Sequence, residues 1–381
     1  MMNIFEKYVI DNEIIINAND WANIVSQHPQ EFLIKEMSNT IELFKIKLPY
    51  REIFEKDVDE DYLALKKLQT SNLIKEGKWV SKFDYKYSFL DKYIDLSNVG
   101  NKASDYFHQV ERWKCDATGY PSPQKTWENE RFRLTLFKAL FSLKVKEINP
   151  QVFRSIISLR KYIAAQFRPS AAKAIYDMFQ AKTVLDLSMG WGDRLLGAHT
   201  SGYVERYVGF DPNHNLIEGY CKQIPYYNAL RLKEFVLGGT KKTHKIFPQC
   251  AEDENIVLED EFDLIFTSPP YFDKEKYNES ELQSYKKYKG FDSWMKDFLC
   301  KTIEIRGKNL KSGGHLVINI SDIYTRKKLY KICDGMNDYI ASTNEYDYIG
   351  AIGLRMPKRP MSISSDTIGI YAEPIFMWKK K

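Results

Sequence analysis

The 381-residue sequence has few of the features that mark a secreted, membrane or metal-binding protein. It has no C-x-x-C pair and only five widely spaced cysteines, which argues against a disulfide framework or a structural zinc site. It has no run of about 18 apolar residues, and its N-terminus lacks a basic stretch followed by an apolar one. We therefore expect a soluble, intracellular protein of the cytoplasm that has no membrane partner and no metal.

The sequence also lacks a large excess of charge of one sign. The 56 basic residues against 51 acidic ones leave a net charge of +5, which excludes a histone-like polycation but permits a local basic groove. The hydrophobic share of 44% and the charged share of 28% are those of a globular protein. Aromatic residues are abundant, at 14%, and they either fill a core or provide surfaces on which bases stack.

The pattern of the chain changes near residue 150. Before it, amphipathic stretches such as residues 20–44 and 128–145 predict helices joined by aromatic-rich loops. After it, short β-branched runs alternate with helical segments, which predicts βαβ units around a mostly parallel sheet. We expect an α/β, Rossmann-like domain over residues 151–381 and a mainly helical domain over residues 1–150. The predicted strands are residues 183–187, 207–211, 262–268, 313–321, 348–354 and 373–379.

The segment TVLDLSMGWGDRLLGA (183–198) joins a strand that ends at Asp186 to a helix through Gly190 and Gly192. The glycines allow a tight turn, so backbone N–H groups and a helix N-terminus would face a ligand at the carboxyl end of the strand. About 19 residues after Gly192 the next strand ends at Asp211, a spacing at which a carboxylate can bind a ribose diol. This pattern predicts a nucleoside-bearing cofactor. Leu195 replaces the third glycine of G-x-G-x-x-G, which argues against a nicotinamide enzyme.

The most specific pattern is FDLIFTSPPYFD (262–273), in which an apolar strand leads into Ser268-Pro269-Pro270-Tyr271. Two consecutive prolines fix φ and remove two N–H donors, so the neighbouring carbonyl groups are free acceptors on a stiff loop. A serine hydroxyl and such a carbonyl can together bind a planar NH2 group. The ring of Tyr271 offers a stacking surface for the base that carries this group.

These motifs resemble those of class I S-adenosylmethionine-dependent amino-methyltransferases that modify DNA. Ser268-Pro269-Pro270-Tyr271 matches the catalytic tetrapeptide of that family, (Asp/Asn/Ser)-Pro-Pro-(Tyr/Phe/Trp). The resemblance covers about residues 150–381 and implies a class I methyltransferase fold, S-adenosyl-L-methionine as the cofactor, and catalytic roles for these four residues. The implied reaction is methyl transfer to the exocyclic amino group of a DNA base, at cytosine N4 or adenine N6. Serine in the first position resembles the cytosine N4 subgroup.

The same resemblance implies where the cofactor binds. The expected cofactor-binding residues are Phe167, Asp186, Ser188, Gly190, Gly192, Asp211, Ala251 and Glu252. Phe167 precedes Arg168-Pro169 in a segment that resembles the one closing over the methionine end of the cofactor. Ala251 and Glu252 fall where a third-strand motif flanks the adenine, although Cys250 stands where that motif usually has aspartate.

For the reaction, the resemblance implies positioning rather than covalent catalysis. Hydrogen bonds from the NH2 group to the Ser268 hydroxyl and the Pro269 carbonyl would favour a pyramidal nitrogen whose lone pair points at the sulfonium methyl. A base within a duplex would be flipped out and would stack on Tyr271. The sequence has no Pro-Cys pair, which enzymes that methylate ring carbons need.

The order of the motifs limits where a target can be recognised. Only about 76 residues separate Gly192 from Ser268, so a recognition domain would have to be residues 1–150, aided by the loop after Tyr271. That loop interleaves aromatic residues with lysines, which suits stacked bases and phosphates. The candidate nucleic-acid-binding residues are Tyr277, Tyr285, Lys286, Lys287 and Lys289. We expect DNA as the partner, while an RNA amino-methyltransferase and a non-catalytic nucleic-acid-binding protein that kept the fold stay open as alternatives.

Overall fold

A long mixed β-sheet is the main feature of the computed structural model, which describes residues 3–233, 242–259, 261–357 and 369–381. The strands are β1 (Val9–Ile10), β2 (Glu13–Ile14), β3 (Ile74–Glu76), β4 (Trp79–Val80), β5 (Phe89–Ile94), β6 (Asp116–Ala117), β7 (Thr183–Asp186), β8 (Arg206–Phe210), β9 (Thr243–Phe247), β10 (Phe262–Thr267), β11 (Glu275–Lys276), β12 (Leu310–Asn319), β13 (Ile323–Thr325), β14 (Lys328–Tyr330), β15 (Tyr346–Arg355) and β16 (Ile370–Lys380).

Helices precede the sheet strands and connect them. The α-helices are α1 (Ala18–Gln27), α2 (Gln30–Leu43), α3 (Glu55–Lys67), α4 (Asn101–Lys114), α5 (Pro123–Glu128), α6 (Glu130–Ser142), α7 (Pro150–Arg160), α8 (Pro169–Met178), α9 (Asp193–Thr200), α10 (Ile217–Lys233), α11 (Ser284–Lys287), α12 (Phe291–Ser293), α13 (Lys301–Gly307) and α14 (Ile332–Ser342). A π-helical stretch, Trp294–Cys300, lies between α12 and α13. Among the described residues, no helix combines the length and the apolar character needed to cross a membrane.

The order of the strands in the large sheet is β3-β5-β15-β16-β12-β10-β7-β8-β9. Strands β9, β8, β7, β10 and β12 are parallel, whereas β16 lies antiparallel between β12 and β15. The chain proceeds outward from β7 to β9 on one side and then continues from β10 on the other. This reversal leaves a crevice at the carboxyl ends of β7 and β10, where doubly wound α/β proteins bind ligands. The predicted α/β, Rossmann-like fold with a mostly parallel sheet is therefore confirmed.

The central strands are apolar because helices cover both faces of a parallel sheet. Val184 and Leu185 in β7, and Ile265 and Phe266 in β10, are fully buried. The six predicted strands correspond to β7, β8, β10, β12, β15 and β16, with ends that differ by a few residues. The apolar runs were sufficient to locate them because burial on two faces leaves little room for polar residues.

The described chain divides into two compact units. The first comprises Met1–Glu52, Gln109–Ala165 and Lys276–Asn278, and the second comprises Ile53–His108, Gln166–Glu275 and Glu279–Lys381. The units do not coincide with a division at residue 150, because residues 53–108 supply β3, β4 and β5 to the sheet of the second unit. Phe89 in β5, for example, pairs with Ala351 in β15. That residues 1–150 recognise a target stays a prediction.

The first unit is mainly helical, and its aromatic residues fill a core. Trp21, Trp113 and Trp127 are buried with the apolar faces of α2, α6 and α7. The indole N–H of Trp21 donates to the Val145 carbonyl at 3.0 Å, and that of Trp127 donates to the Ile46 carbonyl at 2.9 Å. These tryptophans are packing residues rather than an exposed platform for bases.

Candidate functional site

The predicted site residues follow neighbouring parallel strands at one edge of the sheet. Asp186 ends β7, Asp211 follows β8, and Ser268 follows β10. Because β8, β7 and β10 are adjacent and parallel, these three residues lie along the same edge, at the topological switch point. Cys250 to Glu252 come shortly after β9, the next strand beyond β8.

The side chains of Ser268 and Tyr271 share Asn319 as a partner, and Tyr271 also bonds Glu373 on another strand. The Ser268 hydroxyl donates to Asn319 Oδ1 at 3.4 Å, and the Tyr271 hydroxyl lies 3.5 Å from the same oxygen. The Tyr271 hydroxyl donates to Glu373 Oε2 at 3.0 Å. The Asn319 amide N–H2 donates to the Pro374 carbonyl at 3.0 Å, which directs Oδ1 towards the motif. The four-residue motif is thus held by the end of β12 and the beginning of β16.

Asn319 and Glu373 were missed by the sequence reasoning. Each is a polar residue inside an otherwise apolar strand, Asn319 in HLVIN and Glu373 in AEPIFMW. Such an interruption is a signal that could have found them, because a polar group in a buried strand needs a hydrogen-bond partner. Asn319 reaches the motif because β12 lies beside β10, and Glu373 reaches it because β16 lies beside β12.

Burial controls the protonation of the pair formed by Tyr271 and Glu373. Burial, and then the charge of Glu373, raises the pKa of Tyr271 well above its usual value, so the hydroxyl keeps its proton. Burial also raises the pKa of Glu373. The ammonium group of Lys274 lies 4.9 Å from the centroid of the Tyr271 ring. A base that stacks on Tyr271 would therefore use the other face of the ring or displace Lys274.

The two glycines of the loop after β7 have backbone conformations that favour glycine. Their φ angles are +56° at Gly190 and +73° at Gly192. A Cβ atom on Gly192 would lie 2.2 Å from Gln223 Oε1, whereas on Gly190 the nearest atom would be 3.9 Å away. Gly190 is thus required by its φ, and Gly192 by both its φ and its packing. The Tyr220 hydroxyl donates to the Gly190 carbonyl and holds the turn.

The carboxylate of Asp211 fits a ribose diol. One oxygen accepts the N–H of Gly190 at 2.8 Å and the other accepts that of Asn213 at 2.9 Å. Each oxygen can accept a further hydrogen bond, so two hydroxyl groups can be accommodated. Burial raises the pKa of Asp211 to about 6, although the two N–H groups favour the charged form. Hydroxyl donors from a ligand would lower this cost of burial.

The carboxylate of Asp186 is engaged by the protein itself. It is fully buried and accepts from Arg194 Nε at 2.7 Å, Arg194 Nη2 at 3.2 Å and the Tyr207 hydroxyl at 2.7 Å. The N–H of Ser188 donates to it at 3.2 Å, and the Ser188 hydroxyl donates to the Leu187 carbonyl at 2.8 Å. The carboxylate of Asp186 therefore orders the glycine loop and is not directed towards a ligand.

Phe167 is tied to the same loop through Asp193, which the sequence reasoning also missed. Asp193 begins α9 and accepts the Phe167 N–H at 3.2 Å, the Gln166 amide N–H at 3.1 Å and the Ser104 hydroxyl. The Phe167 ring lies 5.3 Å from the guanidinium carbon of Arg194. The only sequence signal for Asp193 was an acidic residue at the first position of a helix. Acidic residues are common at helix starts, so this signal did not distinguish it.

Arg168 carries a donor that the described protein does not satisfy. Its Nη2 donates to the Arg355 carbonyl at 2.5 Å, while its Nη1 is buried without a partner among the described residues. Burial lowers the pKa of Arg168 to about 10, and the charges of Glu373 and Asp95 oppose this. The guanidinium stays charged at neutral pH, so it can donate to an acceptor from a ligand.

The segment after β9 and the lysine-rich loop are linked by an ion pair. Ala251 is buried, and the carboxylate of Glu252 accepts from Lys287 Nζ at 2.9 Å and from the Tyr288 hydroxyl at 3.0 Å. Glu252 thus holds the loop and, like Asp186, is engaged within the protein. The Ala251 carbonyl accepts from Arg306 Nε at 2.5 Å.

The candidate nucleic-acid-binding residues are in different environments. Lys286 donates to the Glu279 carbonyl at 2.6 Å and lies 3.4 Å from Glu281 Oε1, so both Lys286 and Lys287 have acidic neighbours. Tyr285 packs against the core of the sheet, and Lys289 is exposed. Tyr277 belongs to the first unit. The basic surface of this loop is smaller than its number of lysines suggests.

Comparisons with known proteins bear on this site. Residues 262–381 match the N6/N4 methyltransferase family model, described as DNA methylase. The chain is similar to the N-methyltransferase NodS from Bradyrhizobium japonicum WM9 in complex with S-adenosyl-L-homocysteine, with 13% identity over 52% of this chain and 78% of that one and a TM-score of 0.32. It is also similar to TrmN from Thermus thermophilus, with 14% identity over 56% and 49% of the two chains and a TM-score of 0.34. No curated protein matches the chain.

The family match confirms the predicted class of enzyme for residues 262–381, a methyltransferase of the amino-methylating kind, with S-adenosylmethionine as the methyl donor. The matched range includes Ser268 to Tyr271, Asn319 and Glu373, which form one hydrogen-bonded group. The glycine loop and Asp211 precede the match, and the strand order brings them to the same edge of the sheet.

Proposed function

We propose that this protein transfers the methyl group of S-adenosylmethionine to the exocyclic amino group of a DNA base, cytosine N4 or adenine N6. The observation that carries the proposal is the placement of Ser268-Pro269-Pro270-Tyr271 at the carboxyl end of β10, beside the glycine loop and Asp211. The match of residues 262–381 to a DNA methylase model favours DNA over RNA as the substrate.

The motif would bind the amino group of the base through two acceptors. The Ser268 hydroxyl directs its proton to Asn319, so its lone pairs face away from Asn319 and can accept an N–H from the base. The Pro269 carbonyl is the second acceptor that we propose. Two acceptors on one NH2 group fix the position of the nitrogen. A nucleophile that is held in place before the reaction has a lower barrier to methyl transfer.

The ring of Tyr271 would hold the plane of the base. Its hydroxyl donates to Glu373, so the ring cannot rotate freely and its orientation is set before a substrate binds. Glu373 acts here as a positioning residue, because it contacts Tyr271 and not the reacting nitrogen. Pro270 contributes by fixing the backbone between the two side chains.

The cofactor would be held along the edge of the sheet by groups from several elements. Asp211 would accept the ribose hydroxyls, Gly190 and Gly192 would let the backbone approach, and Ala251 would lie beside the adenine. Phe167 and Nη1 of Arg168, which has no partner among the described residues, would face the methionine end, where a carboxylate needs a donor. When bound, S-adenosylmethionine supplies an electrophilic methyl group. Asp186, Ser188 and Glu252 would position the loops on either side.

The deciding experiment supplies labelled S-adenosylmethionine with separate DNA and RNA pools, followed by nucleoside mass spectrometry. We expect N4-methylcytosine or N6-methyladenine from DNA with the native chain and none with Ser268→Ala. Ser312→Ala is the matched control and should stay active, because the Ser312 hydroxyl is exposed and, among the described residues, bonds only the Lys381 carbonyl. Label in RNA alone would support the RNA alternative, and cofactor binding without any methylated nucleoside would support the non-catalytic one.

A further inference from the structure

A cavity of about 680 Å³ lies in the second unit, away from the motif. Helix α9 starts at the glycine loop and ends at Thr200, and residues 199–203, which precede β8, line the cavity. The cavity is therefore at the amino ends of the strands, the edge opposite to Ser268. Its volume is that of a small-ligand pocket, large enough for a phosphate or a diphosphate with an attached group.

Cationic side chains dominate the lining. Lys66, Lys173, Arg231 and Lys242 face the cavity, with Asp177 as the one acid among the described lining residues. Both oxygens of Asp177 already accept hydroxyl groups, from Thr70 at 2.8 Å and from Ser201 at 2.5 Å. Among the described lining residues, positive charges therefore outnumber negative ones, in a protein whose net charge is only +5.

The two buried lysines have carbonyl oxygens as hydrogen-bond partners. Lys173 Nζ donates to the carbonyls of Leu65, Lys66 and Leu68, each at 2.9 Å, and thereby caps the end of α3. Lys242 Nζ donates to the carbonyls of Ala198 and Ser201 at the end of α9. Because an ammonium group has three N–H donors, Lys173 is fully used, whereas Lys242 has one donor without a partner among the described residues.

We propose that this cavity is a binding site for a phosphate-type dianion, held by Arg231, Lys242 and Lys66, with Ser71 also in its lining. Arg231 comes from the last turn of α10, Lys66 from the last turn of α3, and Lys242 from the position immediately before β9. Three elements thus direct cations at one space, and an anion there would relieve their mutual repulsion. The site is independent of the proposed methyl transfer.

Several titratable or charged groups lie close to Lys242, and all of them except His244 line the cavity. They are Arg231, Lys173, Lys66, Asp177, His199 and His244. Burial, and after it the charge of Arg231, lowers the pKa of Lys242 to about 7. Burial lowers the pKa of His199 well below its usual value and that of His244 to about 4, so both rings are neutral near pH 7.

The position of Lys242 in this cavity predicts that the affinity for an anion depends on pH. An anion favours the charged form of Lys242, so binding raises its pKa and takes up a proton above pH 7. Affinity for an anion that does not itself titrate should fall as pH rises from 7 to 9, by up to about tenfold per unit for one proton taken up. Sulfate is the appropriate probe because it stays a dianion throughout this range.

The test is titration calorimetry of the full chain with sulfate and with pyrophosphate at low ionic strength. We expect saturable binding of one anion, with proton uptake that is visible as a dependence of the heat on the buffer. Arg231→Gln and Lys66→Gln should each weaken binding about tenfold. Lys222→Gln and Lys67→Gln are matched controls on the same two helices and should bind as the native chain does, since neither residue lines the cavity.

Competition experiments against bound pyrophosphate distinguish a phosphate at a nucleic-acid end from a free di- or polyphosphate. A short oligonucleotide with a 5′-phosphate that competes, while its unphosphorylated form does not, points to a nucleic-acid end. Lack of competition by both points to a free di- or polyphosphate. Binding that does not saturate, or binding that is equal in Arg231→Gln, Lys66→Gln and the controls, would overturn the proposal. Thermal unfolding of each variant without anion shows that it is folded.

Discussion

The hydroxyl of Tyr271 donates a hydrogen bond to the carboxylate of Glu373 at 3.0 Å, across 102 residues of sequence. The ring of Tyr271 belongs to the motif, whereas Glu373 belongs to the antiparallel strand β16. This contact separates two roles of one side chain, since the ring is proposed to stack on a base and the hydroxyl to orient the ring. Each role can be removed by its own substitution.

Tyr271→Phe keeps the ring and loses the hydrogen bond, whereas Tyr271→Ala loses both. We expect the rate of methyl transfer to fall about three- to tenfold in the first variant and about 100-fold in the second, because stacking on an aromatic side chain is worth about 1–3 kcal/mol per base. Single-turnover assays with saturating cofactor measure both values. Tyr324→Ala, at a tyrosine that is 59% exposed, is the control. Equal rates for the two Tyr271 variants would contradict a separate role for the ring.

Asn319→Ala should reduce both activity and stability. It removes the shared acceptor of Ser268 and Tyr271 and the hydrogen bond to the Pro374 carbonyl, which should lower the free energy of unfolding by about 1–3 kcal/mol. Asn309→Ala is a matched control, because the Asn309 amide also donates to a carbonyl, that of Leu258 at 2.8 Å, away from the motif. Urea unfolding should show similar losses of stability for Asn319→Ala and Asn309→Ala. Methyl-transfer rates should fall only for Asn319→Ala.

Asp211→Asn should change how stability depends on pH. Burial raises the pKa of Asp211 to about 6, so the folded protein binds this proton more tightly than the unfolded chain does. The resulting stabilisation is present below pH 4 and is lost as pH rises through 6. A shift of about two pKa units corresponds to at most about 3 kcal/mol. Urea unfolding measures the free energy of unfolding at pH 4 and at pH 7.5. Between these values the native chain should lose more stability than Asp211→Asn does. If the difference in stability between the two proteins is the same at both pH values, the prediction is contradicted.

Cofactor affinity supplies a second readout for the same residue. A carboxylate that accepts two ribose hydroxyls contributes about 1.5–3 kcal/mol per bond, so Asp211→Ala should weaken binding of S-adenosylmethionine at least tenfold. Fluorescence or calorimetric titration measures this. In Ser268→Ala the same titration should give the native affinity, because Ser268 is proposed to bind the base. Loss of cofactor binding in both variants would mean that the two sites are not separate.

Gly192→Ala should destabilise the glycine loop through two effects that a pair of variants separates. Its φ of +73° strains any other residue, and its new Cβ would collide with the amide of Gln223. Gly313 has a similar φ of +77° but open space around it, so Gly313→Ala reports the strain alone, about 1–2 kcal/mol. Thermal unfolding should show the larger loss for Gly192→Ala. Adding Gln223→Ala should restore part of that difference, and no restoration would exclude the collision.

Arg194→Met should be the most destabilising of these changes. It leaves Asp186 buried and charged without its bidentate partner, at a cost of about 3–5 kcal/mol. The double variant Asp186→Asn with Arg194→Met removes that charge and should recover stability relative to Arg194→Met alone. A double-mutant cycle by urea unfolding measures the coupling energy. Additive effects would show that the pair does not act as a unit.

The sequence alone was sufficient to identify six strands of the large sheet, the glycine loop and the motif of Ser268 to Tyr271, whereas β3, β4, β5 and β9 were not among the predicted strands. These features depend on short-range rules: apolar runs form buried strands, glycine adopts positive φ, and consecutive prolines stiffen a loop. The same rules explain why Asp211 was placed correctly at a strand end. One helix and one strand of ordinary length fill the separation of about 19 residues between Gly192 and Asp211.

Only the tertiary structure decided which side chains are available to a ligand. Asp186 and Glu252 carry the right charge, but their carboxylates are engaged by Arg194 and Lys287. Asn319 reaches the motif because β12 is a neighbour of β10, and Glu373 reaches it because β16 is a neighbour of β12. Residues 53–108 join the sheet because β5 pairs with β15. Hydrogen-bond partners far apart in sequence depend on strand order, and no local pattern encodes that order.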